Sequence, residues 1–182
     1  MQLRNDASGY GAITKALHWL TFALLLVQFT IGYFVEDESG RGRGRGRSGE
    51  SGRGRGRGGD DDFTFGFGEG DDRLLSIHVI LGTTILVVTV FRFIWRRTTP
   101  LPAWASSLSH RERTLAHWTE LALYASLIAM PLTGLSLIFI SDDLLGLHIA
   151  SHIVLYIAFL LHVGLVLKHQ LIKRDRLIQR ML

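Results

Sequence analysis

Apolar positions along this chain gather into four long runs rather than into alternating or one-sided stripes. The runs cover about residues 17–35, 74–94, 115–140 and 144–167. Crossing roughly 30 Å of hydrocarbon takes about 20 helical residues, so each run is long enough to span a bilayer. A segment in lipid has to satisfy its own backbone polar groups, which makes each run a helix. The expected fold class is an all-α integral membrane four-helix bundle, one domain over residues 1–182, with a disordered loop between helices 1 and 2. Pro131 in the third run predicts a kink, with Gly134 close by. The first run is read as a retained span rather than a cleaved signal peptide. Its apolar part is long, and TIGYFVEDESG offers no small-x-small cleavage site.

Composition sharpens this picture. The chain has 182 residues, 47% of them hydrophobic, and a net charge of +4. It contains no cysteine, which excludes a disulfide framework, thiolate zinc sites, cysteine-ligated iron–sulfur clusters and a cysteine nucleophile. Charge placement sets the orientation. Arg92, Arg96, Arg97, Arg111 and Arg113 lie between spans two and three, and Lys168, Lys173, Arg174, Arg176 and Arg180 follow span four. Both segments are expected in the cytoplasm, and an even number of spans puts the N-terminus there too. Asp142 and Asp143, between spans three and four, suit the outer side, and Trp19, Trp95 and Trp104 fall near the interfaces.

The loop between spans one and two opposes the charge rule with eight arginines, but it also carries ten acids and is long for that rule. Residues 39–45 and 51–57 both read SGRGRGR, within a low-complexity Arg-Gly stretch over 39–59. Such a segment lacks the large apolar residues needed to fold. Arginine–glycine tracts bind nucleic acid in other settings, but a mixed-charge loop between two spans reads as a self-neutralising connection, with no nucleic-acid partner. The FGFGEGDD that follows matches no EF-hand spacing.

Candidate chemistry lies in the eight histidines. Ionisable residues within spans are costly and are functional candidates by default. With the orientation above, His18 and His162 fall on the cytoplasmic side, and His78 and His148 on the outer side. His148 and His162 are fourteen residues apart, so about 21 Å apart along a helix and only about 40° apart around it. Two histidines on facing helices at one depth can supply both axial ligands of a haem iron. The spacing thus gives the pairs His18–His162 and His78–His148, and neutral imidazoles avoid burying charge. A flat macrocycle also needs room: Gly82, one turn after His78, is expected to leave space against it, with Gly32, Gly134 and Gly164 letting helices and haem edges approach closely. His152 and His169 are the alternatives to His148 and His162, with His169 expected near water. His117 is expected as an interfacial hydrogen-bonding residue or a group at a quinone or haem edge. No compact set of three or four ligands suggests zinc.

These fragments resemble the bacterial cytochrome b561 family, which shares a domain with the cytochrome b subunits of nickel–iron hydrogenases. The likeness runs through HWL at His18–Leu20, SIHVILG at Ser76–Gly82, and LAHWTELALYASLIAMPLTG ending at Pro131–Gly134. It continues through the paired histidines of the fourth span and RDRLIQRM at Arg174–Met181. The resemblance implies a protein with two haem b groups, ligated by His18, His78, His148 and His162, that exchanges electrons with quinone in the inner membrane. Some members of the family are thought to oxidise superoxide and reduce ubiquinone. Many relatives carry a histidine where this chain has Glu120, and the arginine–glycine loop is no family feature.

The leading expectation is therefore an electron carrier acting on the quinone pool, with membrane lipid around it and superoxide or a donor protein outside. Arg92, Arg96 and Arg111 are candidates for pairing with haem propionates on the cytoplasmic side, and Arg73 outside. A haem-bearing anchor subunit of a dehydrogenase or hydrogenase is the alternative, disfavoured by the little docking surface. A histidine-dependent proton or metal transporter is weaker still, because four spans show no inverted repeat.

Overall fold

A computed structural model describes residues 2–6, 9–44, 71–105, 107–175 and 177–181. Its helices are α1 (Ala12–Gly44), α2 (Asp71–Thr98), α3 (His110–Phe139) and α4 (Leu145–Leu167). A single 3-10 turn, Asp142–Leu144, joins α3 to α4. A π-helical turn, Lys168–Lys173, extends α4, and a last 3-10 turn covers Leu177–Arg180. There is no strand among the described residues. Four segments are long and apolar enough to cross a membrane: Ala12–Gly32, Arg73–Thr98, His110–Phe139 and Leu145–Lys173. The architecture is that of a multi-pass all-α membrane protein.

One detail differs from the sequence reading. The backbone of α1 stays helical to Gly44, so the connection to α2 begins later than expected. Extending a formed helix needs no new nucleus, whereas starting one is costly. Residues 45–70, with most of the arginine–glycine tract and the start of FGFGEGDD, lie outside the described residues. Pro131 is buried within α3, whose helix continues on both sides of it.

The distribution of side chains is that of a bundle whose solvent is lipid. Ile85, Leu155, Met130, Leu127 and Leu25 form a small buried core. Large apolar side chains such as Val87, Phe91, Ile157 and Leu160 stand exposed on the outer surface. The interior holds Thr21, Gln28, Ser76, Thr89, Thr119 and Ser126 as well. Some of these hydroxyls are satisfied within their own helix: Thr21 donates to the Leu17 carbonyl and Ser126 to that of Ala122, both at 2.7 Å.

Backbone packing runs α1 to α2, α2 to α3 and α3 to α4. α1 and α4 are joined mainly by side chains, with Phe22 stacked on Phe159 at 6.3 Å and Phe29 on Tyr156 at 4.8 Å. That spacing leaves the interior accessible to side chains from both helices.

The end of the bundle that holds both termini is closed by hydrogen bonds. The N-terminal segment folds over the start of α1, where the Asn5 side chain accepts from Gly11 N at 2.9 Å and from Thr14 Oγ1 at 2.7 Å. The C-terminal turn closes the other side, with Trp19 Nε1 donating to the Met181 carbonyl at 2.8 Å and Arg180 to that of Ala103 at 2.9 Å. Gly11 is packed against backbone, and a Cβ there would lie 2.4 Å from the Arg4 carbonyl carbon. Backbone cannot move aside as a flexible side chain can. Gly11→Ala is therefore expected to destabilise the protein by about 1–3 kcal/mol, read as a lower thermal midpoint in detergent. Gly9→Ala, where nothing lies within 4 Å, should leave the midpoint unchanged.

Candidate functional site

The four histidines singled out by depth come from three helices, and the structure gathers them into two groups. At the end holding the termini, His18 of α1 and His162 of α4 face each other with ring centroids 6.3 Å apart and planes inclined by 54°. They line a cavity of about 500 Å³. Its walls are apolar, with Phe22, Leu25, Leu123 and Leu127 among them. Its polar side chains gather from α2 and α3: Arg92, Arg96, Glu120 and Tyr124. Tyr10 lines it from the N-terminal segment, and burial pushes its hydroxyl above its ordinary pKa, so that it stays neutral.

The arginines in this cavity already have partners. Arg96 Nη2 donates to Glu120 Oε2 at 2.7 Å. Arg92 Nη2 lies 3.0 Å from His18 Nδ1, and its guanidinium lies over the Tyr124 ring. A guanidinium can only donate, so His18 accepts at Nδ1 and carries its proton on Nε2. Trp19 packs edge-on against the same imidazole.

Toward the opposite end lie His78 of α2 and His148 of α4, each beside a glycine of a neighbouring helix, and the His152 ring lies 4.5 Å from that of His148. Glycines give both rings room. A Cβ at Gly32 would meet His78 Cε1 at 3.1 Å, and one at Gly134 would meet His148 Cε1 at 3.1 Å. Gln28 of α1 reaches His78 twice, its Nε2 lying 3.1 Å from His78 Nε2 and 3.0 Å from the His78 carbonyl oxygen. The carbonyl can only accept, which orients the amide with its NH₂ toward His78, so His78 Nε2 accepts too. Gln28 Oε1 and His78 Nδ1 are buried without a hydrogen-bond partner.

Gly82 lies beside Gln28: a Cβ there would meet Gln28 Nε2 at 3.3 Å, because Gln28 occupies the space between α1 and α2. It is Gly32, on α1, that makes way for His78. Gly164 faces open space. His169 is not near water but fully buried, because the chain turns back after the π-helical turn. Arg174 takes a left-handed conformation, φ 52°, and brings Asp175 onto His169 Nδ1. Arg111 is exposed, whereas Arg92 and Arg96 line the cavity. Arg73 is exposed at the start of α2. His110 and His117 are exposed, and the His117 ring packs edge-on to Trp118.

A charged cluster was not expected from the sequence reading. Glu112 closes a capping box with Ser109 at the start of α3 and receives Lys168 at 2.9 Å and Lys173 at 2.7 Å. This ties the end of α4 to the start of α3. The Ser109-x-x-Glu112 spacing was its readable signal. Gln28 also left one, as an uncharged polar residue within an apolar span. Neither gave any hint of its partner.

Among the described residues no group of three or more His, Cys, Asp or Glu side chains could hold a metal ion by itself. The arrangement instead suits a cofactor gripped by one imidazole from each side. A family model described as prokaryotic cytochrome b561 matches residues 9–182, nearly the whole chain. A search of curated proteins finds no match.

Proposed function

The chain belongs to the prokaryotic cytochrome b561 family and is a haem b electron-transfer protein of the inner membrane; from that premise we propose that it is a di-haem cytochrome. One haem is held by His18 and His162 and the other by His78 and His148. Electrons pass to or from the quinone pool, and both termini lie in the cytoplasm.

The observation that carries this reading is the pair His18–His162. Its ring centroids are 6.3 Å apart. That is room for two metal–imidazole bonds of about 2 Å each plus the step from each nitrogen to its ring centre. The cavity suits the rest of the cofactor, offering apolar side chains for a flat macrocycle and Arg92 and Arg96 for its carboxylates. When bound, the group supplies one-electron exchange between ferric and ferrous iron. The protein's share is to grip, orient and exclude water.

Both sites ask for a rearrangement that the residues permit. Ligation through His18 Nε2 would need the ring proton on Nδ1, and the Arg92 guanidinium, no longer donating there, would be free to pair with a carboxylate of the cofactor. Ligation through His78 Nε2 displaces Gln28 from that nitrogen. A neutral hydrogen bond contributes only about 1 kcal/mol net, far less than a metal–nitrogen bond. Gly32 and Gly134 give the outer imidazoles freedom to adjust.

His148 and His162 lie about 21 Å apart along α4, a large part of the roughly 30 Å hydrocarbon thickness. Haems held at these two depths would place redox centres toward both faces of the membrane. The reading extends to oxidation of two superoxide anions to two dioxygen molecules outside, with the two electrons and two protons reducing one ubiquinone to ubiquinol.

Haem counting by pyridine haemochrome tests the reading. The purified wild-type chain is expected to hold two haem b, and His18→Ala, His78→Ala, His148→Ala and His162→Ala about one each. His117→Ala should keep both. A wild-type chain with no haem, or four variants that all retain two, would overturn it. Arg92→Leu should weaken retention of the inner haem by about 10–100-fold, the usual cost of losing a partner behind the ligands, measured by haem transfer to an acceptor apoprotein.

A further inference from the structure

His148 is held by groups that fix where its proton sits. Thr133 Oγ1 lies 3.1 Å from His148 Nδ1 and donates its own proton to the Met130 carbonyl, 2.9 Å away. Ser151 Oγ lies 3.4 Å from Thr133 Oγ1 and donates to the His148 carbonyl at 2.7 Å. A hydroxyl has one proton to give, and carbonyls only accept. Both hydroxyl protons are thus committed, and the contact between Thr133 and His148 has to draw its proton from the ring. A neutral imidazole carries one proton, so with Nδ1 protonated Nε2 keeps its lone pair.

From this accounting we infer that Thr133 is a positioning residue for the outer haem: it fixes His148 in the tautomer whose Nε2 can bind iron and strengthens that nitrogen as a donor. Neighbouring residues divide the work, since Gly134 gives the ring room and Thr133 gives it an acceptor. The same contacts separate His148 from His152, one turn on, which packs edge-on to Phe29 instead. The other three proposed ligands show no such arrangement. His18 accepts from Arg92, His78 accepts from Gln28, and His162 meets the ring of His18.

The inference rests on His148 being a haem ligand. An acceptor on Nδ1–H makes the imidazole a stronger donor, which favours ferric iron over ferrous because the higher charge draws more on the ligand. Losing the acceptor should therefore raise the potential of the outer haem. A tenfold loss of that preference corresponds to about 59 mV for one electron.

The test is a redox titration of the purified, haem-loaded full chain, followed by visible absorbance, in wild type, Thr133→Val and Thr133→Ser. Valine keeps the shape of threonine without its oxygen, and serine keeps the oxygen. The expected result is an upward shift of one of two components by about 59 mV in Thr133→Val, with the wild-type value restored in Thr133→Ser. Loss of one haem in Thr133→Val with retention in Thr133→Ser supports the inference equally. Two unmoved components in Thr133→Val, or equal disturbance in both variants, overturns it. Failure of the underlying ligand assignment looks different: His148→Ala would then keep both haems, whatever Thr133→Val does.

Discussion

Polar side chains these helices bury find partners inside the bundle where they can, because lipid offers none; Gln28 Oε1, His78 Nδ1 and Thr89 Oγ1 are buried without one. That constraint organises the interior. Interior hydroxyls such as Thr21 and Ser126 turn back onto their own helices, Gln28 turns onto His78, Thr133 onto His148, and Arg92 onto His18. The histidines are arranged across the space between α1, α2 and α4, where neutral imidazoles avoid the larger cost of burying charge. A cofactor bound by imidazole from opposite sides would turn that arrangement into binding.

The two ends of the bundle are built differently. Around His18 and His162 lies a cavity with cationic side chains, closed by the N-terminal segment, by the turn that carries Met181 and by the clamp of Lys168 and Lys173 on Glu112. Around His78 and His148 the side chains are neutral amides and hydroxyls, backed by two glycines. Three guanidiniums, Arg92, Arg96 and Arg180, and the Glu120 carboxylate line one group of histidines, and neutral dipoles surround the other. Different local fields and hydrogen bonds would give cofactors held there different potentials.

Much of this was legible in the sequence. Run length alone gives the four helices, because a bilayer fixes how long an apolar segment must be. The spacing of His148 and His162 places both on one side of α4 and about 21 Å apart along it. What could not be read was which residue faces which. Gly82 and Gly32 look equivalent as letters, but packing of α1 on α2 decides that Gly32 meets the imidazole and Gly82 meets Gln28. His169 looked exposed because it follows the last apolar run. It is buried because the chain reverses at Arg174, a left-handed residue that nothing in KRDR announces. Tautomers lie further still from sequence, since they follow from which neighbour can only donate and which can only accept.

Electron paramagnetic resonance of the oxidised wild-type protein, with spins quantified against chain concentration, tests the central claim most directly. Iron held by two imidazoles is six-coordinate and low-spin, so two low-spin ferric centres per chain are the predicted result. A single centre, or a high-spin ferric signal of comparable intensity, would contradict the binding of two haems by His18 with His162 and His78 with His148.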